Sequence, residues 1–278
     1  MRDAMQTDFA IMGGDRRQFY LAEKLQAKGF SLCTKSVPGL QDVGDLRTAE
    51  FLLLPVPATD ENGLIRGTEL SPAEVKEMIF PHARVFGGGI EHLKEVFPYS
   101  EDVLLWEELT MDNASITAEG ALQYILTELP STIEGEAFLI IGSGRIGMHL
   151  ARRLSALGGK VTISTRQIGQ RKMIEAMGFE AEETGTFPRG LEQYACICNT
   201  VPSPVLSKEQ LSHTRHHCLI LELASAPGGF FTEDCETLGR KFILARGLPG
   251  KTAPKTAAEV LLKHILAHIG ASKEDAYG

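Results

Sequence analysis

The chain alternates short, continuous apolar runs with segments in which apolar residues recur every three or four positions. Continuous runs are typical of strands buried on both faces of a parallel sheet, and the longer period is typical of amphipathic helices. The pattern therefore predicts an α/β protein in which strands and helices alternate along the chain. The runs interpreted as strands cover residues 30–33, 51–59, 83–89, 103–106, 160–164, 194–202, 217–225 and 241–250.

Two further strands open an internal repeat. One copy begins at Ile11 and reads IMGGDRRQFYLAEKLQAKG; the other begins at Ile140, 129 positions later, and reads IIGSGRIGMHLARRLSALG. Each copy predicts a strand, a glycine turn, a helix that stops at a glycine, and a second strand. The repeat therefore predicts two doubly wound, parallel-sheet domains of Rossmann-like architecture.

Two long helices are expected to join the domains, because residues 114–129 and 256–270 each carry an apolar helical stripe. We expect the first to lead out of the N-terminal domain and the second to return the chain to it. The predicted N-terminal, substrate-binding domain spans residues 1–112 and is completed by the helix 256–278; the predicted nucleotide-binding domain spans residues 113–255. Ligands of open α/β sheets bind beyond the carboxyl ends of the strands, so both glycine turns are expected to face one cleft.

Charge and composition narrow the function classes. A formal net charge of −8 and an isoelectric point of about 5.6 argue against non-specific nucleic-acid binding and against docking on an anionic membrane. No apolar run approaches the roughly 18 residues that span a bilayer, and the first residues lack the apolar core of a signal peptide. The five cysteines include no CxxC pair, which predicts free, buried thiols in a cytoplasmic protein.

Metal binding is not predicted. His264 and His268 share one helix face, but no carboxylate accompanies them in that helix face. The histidines at 213, 216 and 217 precede a strand and are expected at the surface.

The second glycine turn has the dinucleotide-binding spacing GxGxxG. Gly142 allows a tight turn, Gly144 lets a pyrophosphate approach the backbone, and Gly147 lets helix and strand pack closely. The N-terminus of the following helix supplies N–H donors and a positive dipole. The motif predicts nucleotide binding; the alternative is a domain of this fold that binds nothing. The residues assigned to the cofactor here are Gly142, Ser143, Gly144, Arg145, Ile146 and Gly147.

The end of the next strand indicates which nucleotide binds. An NAD-binding protein normally carries an acidic residue there for the ribose hydroxyls, whereas this chain has Ser164, Thr165 and Arg166. Arg166 can form a charge-assisted fork with a 2′-phosphate, and the two hydroxyls can add donors. Arg171 and Lys172 lie near enough in sequence to assist. The prediction is NADP rather than NAD; the alternative is a solvated surface arginine.

The first glycine turn has lost the fingerprint. Asp15 stands where the second copy has Gly144, and Gln18 stands where it has Gly147. A carboxylate at that point repels a pyrophosphate, so this turn is not expected to hold a nucleotide. Asp15, Gln18 and the neighbouring Arg16 are therefore candidates for substrate contact, unless Asp15 only caps the helix.

Three strand ends complete the candidate site. Asn199, Thr200 and Val201 end one strand, Ala224 follows the next, and both segments are expected near the nicotinamide. Lys255 lies in the segment GLPGKTAPKTA, interpreted as a rigid loop after the last strand. It is a second candidate anchor for a carboxylate.

Six segments in this order resemble the dipicolinate synthase A subunit family of spore-forming bacteria. They read IMGGDRRQ, LLPVPAT, GSGRIGMHLARRLSALGGKV, NTVPSPVL, LELASAPGG and GLPGKTAPKTAAEVL. The resemblance runs from about residue 9 to residue 268, and the C-terminal segment is its most specific part.

The resemblance implies a reaction, a cofactor and a partner. The reaction is oxidation of dihydrodipicolinate to the aromatic pyridine-2,6-dicarboxylate, with NADP as hydride acceptor, in the mother cell during sporulation. The partner is the flavoprotein-like B subunit of dipicolinate synthase, and a homo-oligomer is a further expectation.

Roles for individual residues follow as hypotheses. Asp15 is the first candidate for the general base, Glu119 is the second, and Lys255 completes the catalytic candidates. The candidates for substrate contact are Arg16, Arg17, Gln18 and Thr59.

Two other functions fit parts of the same pattern. A 2-hydroxy-acid dehydrogenase shares the two-domain plan, but it usually needs a histidine facing the carbonyl, and the loop after the last strand offers Lys255 instead. A nucleotide-binding structural subunit is the non-enzymatic alternative, because the sequence pattern does not single out any residue as a catalytic base. Turnover by the isolated chain separates these classes.

Overall fold

The computed structural model describes residues 7–187 and 189–270. The described residues form two compact units. The first unit runs to Asn113 and resumes at Ala253, and the second runs from Ala114 to Thr252.

Strands and helices alternate along the described chain. The strands are β1 Thr7–Met12, β2 Leu32–Lys35, β3 Ala49–Leu53, β4 Arg84–Gly87, β5 Ser100–Asp102, β6 Ala137–Ile141, β7 Lys160–Thr165, β8 Glu180–Glu183, β9 Cys196–Asn199, β10 Leu219–Glu222 and β11 Phe242–Leu244. The α-helices are α1 Arg16–Ala27, α2 Pro72–Met78, α3 Glu107–Glu128, α4 Arg145–Ala156, α5 Ile168–Ala176, α6 Lys208–Ser212, α7 Thr232–Thr237, α8 Leu248–Thr252 and α9 Pro254–Ile269.

Each unit contains one parallel sheet. In the first unit the order is β2-β1-β3-β4-β5, and in the second it is β11-β10-β9-β6-β7-β8. The second order is that of dinucleotide-binding sheets, and the first is the other common doubly wound order. The strand order reverses beside β1 in one unit and beside β6 in the other, so each glycine turn lies at a switch point. The prediction of two Rossmann-like, parallel-sheet domains is confirmed.

The first strand of each sheet shows why the apolar runs are continuous. In β6, Phe138 and Ile140 pack into one apolar cluster, while Leu139 and Ile141 pack into a second one. In β1, Phe9 and Ile11 belong to one cluster and Ala10 and Met12 to another. Successive strand residues point to opposite faces, so a sheet covered on both faces needs apolar residues at every position.

The C-terminal helix belongs to the first unit. Its buried residues Leu261, Leu262 and Ile265 share an apolar cluster with Leu21 and Leu25 of α1. At the edge of this contact, Lys24 Nζ lies 2.5 Å from Glu259 Oε1. The chain therefore returns to its first unit after completing the second.

The cysteines are buried and free, as predicted. Cys196 and Cys198 lie on one face of β9, with their Sγ atoms 3.6 Å apart. Burial raises the pKa of Cys218 to about 12, so this thiol stays protonated at neutral pH.

Three local predictions were wrong. The apolar run 103–106 is not a strand: the strand is the more polar β5, and Val103–Leu105 form a 3₁₀ turn whose Leu104 N–H donates to Asp102. Strand β8 was missed because three of its four residues are glutamates at the sheet edge. The segment GLPGKTAPKTA is not a loop but α8 and the first turn of α9.

Within the described ranges, no helix combines the length and the apolar character required to cross a bilayer.

Glu182 on β8 gives the second unit a pH-dependent stability. Its side chain is buried; Oε1 is 3.5 Å from the Tyr194 hydroxyl, and Oε2 has no hydrogen-bond partner among the described residues. Burial raises the pKa of Glu182 above its usual 4.5, and Arg189 and Tyr194 offset only part of this effect. Ionisation therefore costs more in the folded chain than in the unfolded chain.

We expect Glu182→Gln to gain stability relative to the wild type as the pH rises from 4 to 7. A raised folded-state pKa contributes stability at low pH that is lost as the pH increases, and glutamine does not titrate. Urea denaturation of both proteins at the two pH values measures the difference. A difference in unfolding free energy that stays constant with pH would show that Glu182 ionises normally in the folded chain.

Candidate functional site

The turn after β6 needs a glycine at two of its three glycine positions for steric reasons. Gly142 has a φ of 105°, and a Cβ there would overlap the side-chain oxygen of Thr200. A Cβ at Gly147 would overlap the carbonyl oxygen of Gly142, so helix α4 can pack this closely on the turn only without a side chain. Both glycines are therefore needed by the fold itself.

Gly144 is different, because the space beside it is open. It is the N-cap of α4, with φ −75° and ψ −175°, and no heavy atom outside its immediate neighbours lies within 4 Å of a Cβ built there. No side chain caps α4. The first N–H groups of a helix have no intrahelical partner, so this end of α4 presents donors and a positive dipole to a ligand.

The end of β7 carries an exposed cation. Arg166 is exposed and makes no hydrogen bond or ion pair with the described residues. Arg171 Nη1 lies 3.8 Å from Glu183 Oε2, and Lys172 is exposed on the same helix, α5. The geometry leaves the Arg166 guanidinium available to an anion.

Neither hydroxyl beside Arg166 is free in this structure. Ser164 is fully buried, and its Oγ accepts a hydrogen bond of 3.0 Å from Thr184. Thr165 is also buried and donates to Gln170 Oε1 at 2.8 Å. Ser143 of the glycine turn donates to the same oxygen at 2.6 Å. The buried Ser164 hydroxyl is therefore not positioned for the ligand contact expected from the sequence. Gln170, which the sequence pattern did not reveal, ties the turn to the end of β7.

The end of β9 is organised by a buried carboxylate that the sequence pattern also did not reveal. Glu222 accepts hydrogen bonds from Asn199 Nδ2 at 2.7 Å, from Ala224 N at 2.9 Å and from Gly229 N at 2.7 Å. Asn199 is itself buried, and its amide also closes the turn at Val201. The Asn199 side chain therefore holds two loops together through contacts inside the protein, whereas the sequence led us to expect a direct contact with the cofactor.

Thr200 and Val201 lie beside the glycine turn, and Ala224 follows β10. Thr200 Oγ1 donates to the carbonyl of Ile141 at 2.9 Å, and the side chain of Val201 lies next to Gly142. Thr200 and Val201 are half-buried and Ala224 is buried. These residues shape the end of the sheet by packing.

In the first unit, side chains of the turn and of the first helical residues satisfy the N-terminus of helix α1. Asp15 caps α1 and accepts from Arg17 N at 2.9 Å, while Gln18 Oε1 accepts from Asp15 N at 3.0 Å. The Arg17 side chain is buried, binds the Asp15 carboxylate through two nitrogens, and donates to the carbonyl of Val56 at 2.5 Å. Asp15, Arg17 and Gln18 are thus bound to one another.

The environment of Asp15 makes it a weak base. Burial raises its pKa, but the hydrogen bonds and charge of Arg17, aided by the charge of Arg66, outweigh burial, so the pKa lies below its usual 3.8. A carboxylate that is stabilised in its ionised form holds a proton poorly.

The other candidates of the first unit are more accessible. Arg16 is exposed, and its Nη2 lies 3.1 Å from the Tyr20 hydroxyl. Thr59 is half-buried beside Arg66, whose Nη2 donates to its carbonyl at 3.3 Å. Lys255 is exposed in the first turn of α9. Glu119, by contrast, belongs to the second unit, where it is exposed on α3.

Comparison with known proteins supports one family. The sequence profile of the N-terminal domain of the dipicolinate synthase A subunit matches residues 8–99. The dipicolinate synthase A subunit of Bacillus subtilis (strain 168) is 30% identical over 289 aligned positions, which cover 95% of this chain and 97% of the relative. The chain belongs to the dipicolinate synthase A subunit family.

Solved structures agree with this membership. The crystal structure of the dipicolinate synthase A subunit from Bacillus halodurans has a TM-score of 0.85 at 26% identity, covering 97% of this chain and 99% of that one. The corresponding protein from Bacillus subtilis gives 0.81 at 26% identity, covering 98% and 99%. A transhydrogenase from Sinorhizobium meliloti gives 0.70 at 11% identity, covering 94% and 93%, and shows the shared fold alone.

Two glycine exchanges should separate the open position from the packed one. Gly147→Ala places a methyl group against the Gly142 carbonyl and should lower the free energy of unfolding by about 3 kcal/mol. Gly144→Ala meets open space at an allowed φ, so its cost should stay below about 1 kcal/mol. Chemical denaturation of the two variants makes the comparison. Equal losses would mean that the turn is not packed as described.

Proposed function

We propose that this chain is the NADP-dependent dehydrogenase subunit of a dipicolinate synthase. It oxidises dihydrodipicolinate to pyridine-2,6-dicarboxylate, with transfer of a hydride to NADP⁺ and release of a proton. The observation that carries the proposal is the N-terminus of α4, which lies in the GxGxxG turn and has no side-chain cap. Arg166, at the end of the next strand, is exposed and makes no hydrogen bond or ion pair with the described residues. Family membership supports the substrate.

The residues of the second unit fit a dinucleotide. Gly144 leaves open space where a pyrophosphate can approach the backbone, and the N-terminus of α4 supplies donors. Arg166 favours NADP over NAD because its guanidinium can bind a 2′-phosphate through two parallel hydrogen bonds. The bound NADP⁺ supplies the hydride acceptor.

In the first unit, the N-terminus of helix α1 is unsuited to binding a second nucleotide. The Asp15 carboxylate occupies the helix end through its bond to Arg17 N and repels a pyrophosphate. This leaves the first unit for the substrate, whose two carboxylates need local cations in a chain of net charge −8. Arg16 and Lys255 are exposed cations of this unit and remain candidates for that contact.

The protein promotes the reaction mainly by positioning the substrate against the cofactor. Loss of hydride and proton makes the substrate ring aromatic, so the reaction is favourable and the barrier is lowered chiefly by orientation. Glu222 helps by holding the loops after β9 and β10 in one arrangement.

Glu119 is the better candidate for the general base. Asp15 is engaged by Arg17 and has a lowered pKa, whereas the exposed Glu119 carboxylate makes no ion pair with the described residues. This reverses the order of the two candidates expected from the sequence.

Family membership also supports a complex with the B subunit of dipicolinate synthase, and action in the cytoplasm of the mother cell of a sporulating bacterium. The complex and the location are both part of the function proposed here.

Calorimetric titration of the chain with NADP⁺ and with NAD⁺ tests the cofactor. The wild type should bind NADP⁺ at least tenfold more tightly, and Arg166→Ala should lose this margin, about 1.4 kcal/mol, with little change for NAD⁺. Arg152→Ala is the matched control, since it removes one exposed cation from α4 and should keep the margin. If Arg166→Ala kept the margin, the 2′-phosphate would be recognised elsewhere; if the wild type bound neither nucleotide, the proposed cofactor would be wrong.

Paired exchanges of the two carboxylates test the base. Glu119→Gln should lower kcat about 100-fold or more, as expected for loss of a general base, with unchanged affinity for NADP⁺. Asp15→Asn should act on stability, lowering the free energy of unfolding by about 2 kcal/mol, because it leaves the buried Arg17 charge without its carboxylate. NADPH formation with the dihydro substrate and chemical denaturation give the two readouts. A large loss of kcat in Asp15→Asn alone would restore Asp15 as the base.

A further inference from the structure

A short hairpin lies over the glycine turn of the first unit. It follows β3 and is closed by an antiparallel bridge between Thr59 and Ile65. Its Arg66 backbone is fixed from two sides, since Gly14 N donates to Arg66 O at 2.7 Å and Arg66 N donates to Ala58 O at 2.9 Å. The guanidinium of Arg66 therefore extends from a rigid backbone.

The contact between hairpin and turn leaves no room for side chains. A Cβ at Gly13 would overlap the carbonyl oxygen of Arg66, and a Cβ at Gly67 would come within 2.6 Å of Gly14 N. Gly13 and Gly67 have φ values of 61° and 78°, which favour glycine. The hairpin is thus held at the switch point beside β1, where open α/β sheets bind their ligands.

Arg17 and Arg66 both lie near this turn, but their side-chain N–H groups differ in the acceptors that they find. Arg17 binds both oxygens of Asp15 and the carbonyl of Val56. Arg66 makes one long side-chain hydrogen bond, from Nη2 to Thr59 O at 3.3 Å, and its Nε is buried without a partner among the described residues. A buried N–H without an acceptor costs free energy, so an acceptor that binds here recovers this cost.

The charge of the cluster also favours an anion. Asp15 and Arg17 form an ion pair of 2.8 Å and neutralise each other, so Arg66 adds one positive charge that the pair does not balance. The charge of Arg66 is close enough to lower the pKa of Asp15.

We propose that Arg66 binds a carboxylate of the small-molecule substrate at the switch point of the first unit, through Nε and one terminal nitrogen. Planar, two-point contact with a carboxylate is the geometry that a guanidinium provides and an ammonium does not. That the carboxylate belongs to dihydrodipicolinate rests on the proposed function.

Titration of the full chain with pyridine-2,6-dicarboxylate, the product, tests this site. Arg66→Gln should weaken binding at least tenfold, and Arg66→Lys at least threefold, because lysine keeps the charge but lacks the second donor. Arg47→Gln is the matched control: Arg47 is an exposed arginine of the same unit and its exchange should change affinity less than twofold. NADP⁺ affinity should be the same in all four proteins.

Dicarboxylate affinity within twofold of the wild type in Arg66→Gln would overturn the proposal, as would displacement of the dicarboxylate by an equal concentration of inorganic phosphate. If Arg66→Gln does not fold, Arg66→Lys decides, and unchanged affinity in that variant overturns the site. A wild type that binds NADP⁺ but no dicarboxylate refutes both Arg66 and the proposed substrate. A wild type that binds the dicarboxylate but no NADP⁺ refutes the proposed cofactor alone.

Discussion

The unsatisfied N–H groups at the start of a helix are the constraint that shapes both units. Each unit places a helix directly after its first strand, and each helix must find acceptors for those groups. In α1 the chain supplies them itself through Asp15, and Gln18 bonds back to the cap. In α4 the cap is Gly144, which has no side chain to offer, and no side chain caps this helix. One strand–turn–helix plan thus gives a closed end and an open one.

The residues of each turn also determine how tightly the following helix packs on it. In the second unit, Gly147 lets α4 touch the Gly142 carbonyl. In the first unit, Gln18 occupies the equivalent position, and a Cβ on Gly14 would overlap its side chain. The polar side chain at position 18 is therefore accommodated because Gly14 has no side chain of its own.

The sequence predicted the features that depend on periodicity and spacing. The repeat, the glycine turn and most of the continuous apolar strands follow from rules that act over a few residues, and these were correctly placed; the apolar run 103–106, which forms a 3₁₀ turn, is an exception. The missed features depend on contacts across the fold. Ser164 and Asn199 face inward because Thr184 and Glu222 lie there, and no local pattern reveals those neighbours. Arg66 was overlooked for the same reason, since only the fold brings its hairpin onto the glycine turn.

Glu222 couples two loops that are distant in sequence. One carboxylate accepts from Asn199 on one side and from Ala224 and Gly229 on the other, and it is almost fully buried. Substitutions in the two loops should therefore not be additive, because each loop takes its conformation partly from the other through a shared acceptor. In evolutionary terms, we expect a substitution in residues 199–201 to be accepted only alongside compatible residues in 223–229, because both segments depend on the same carboxylate.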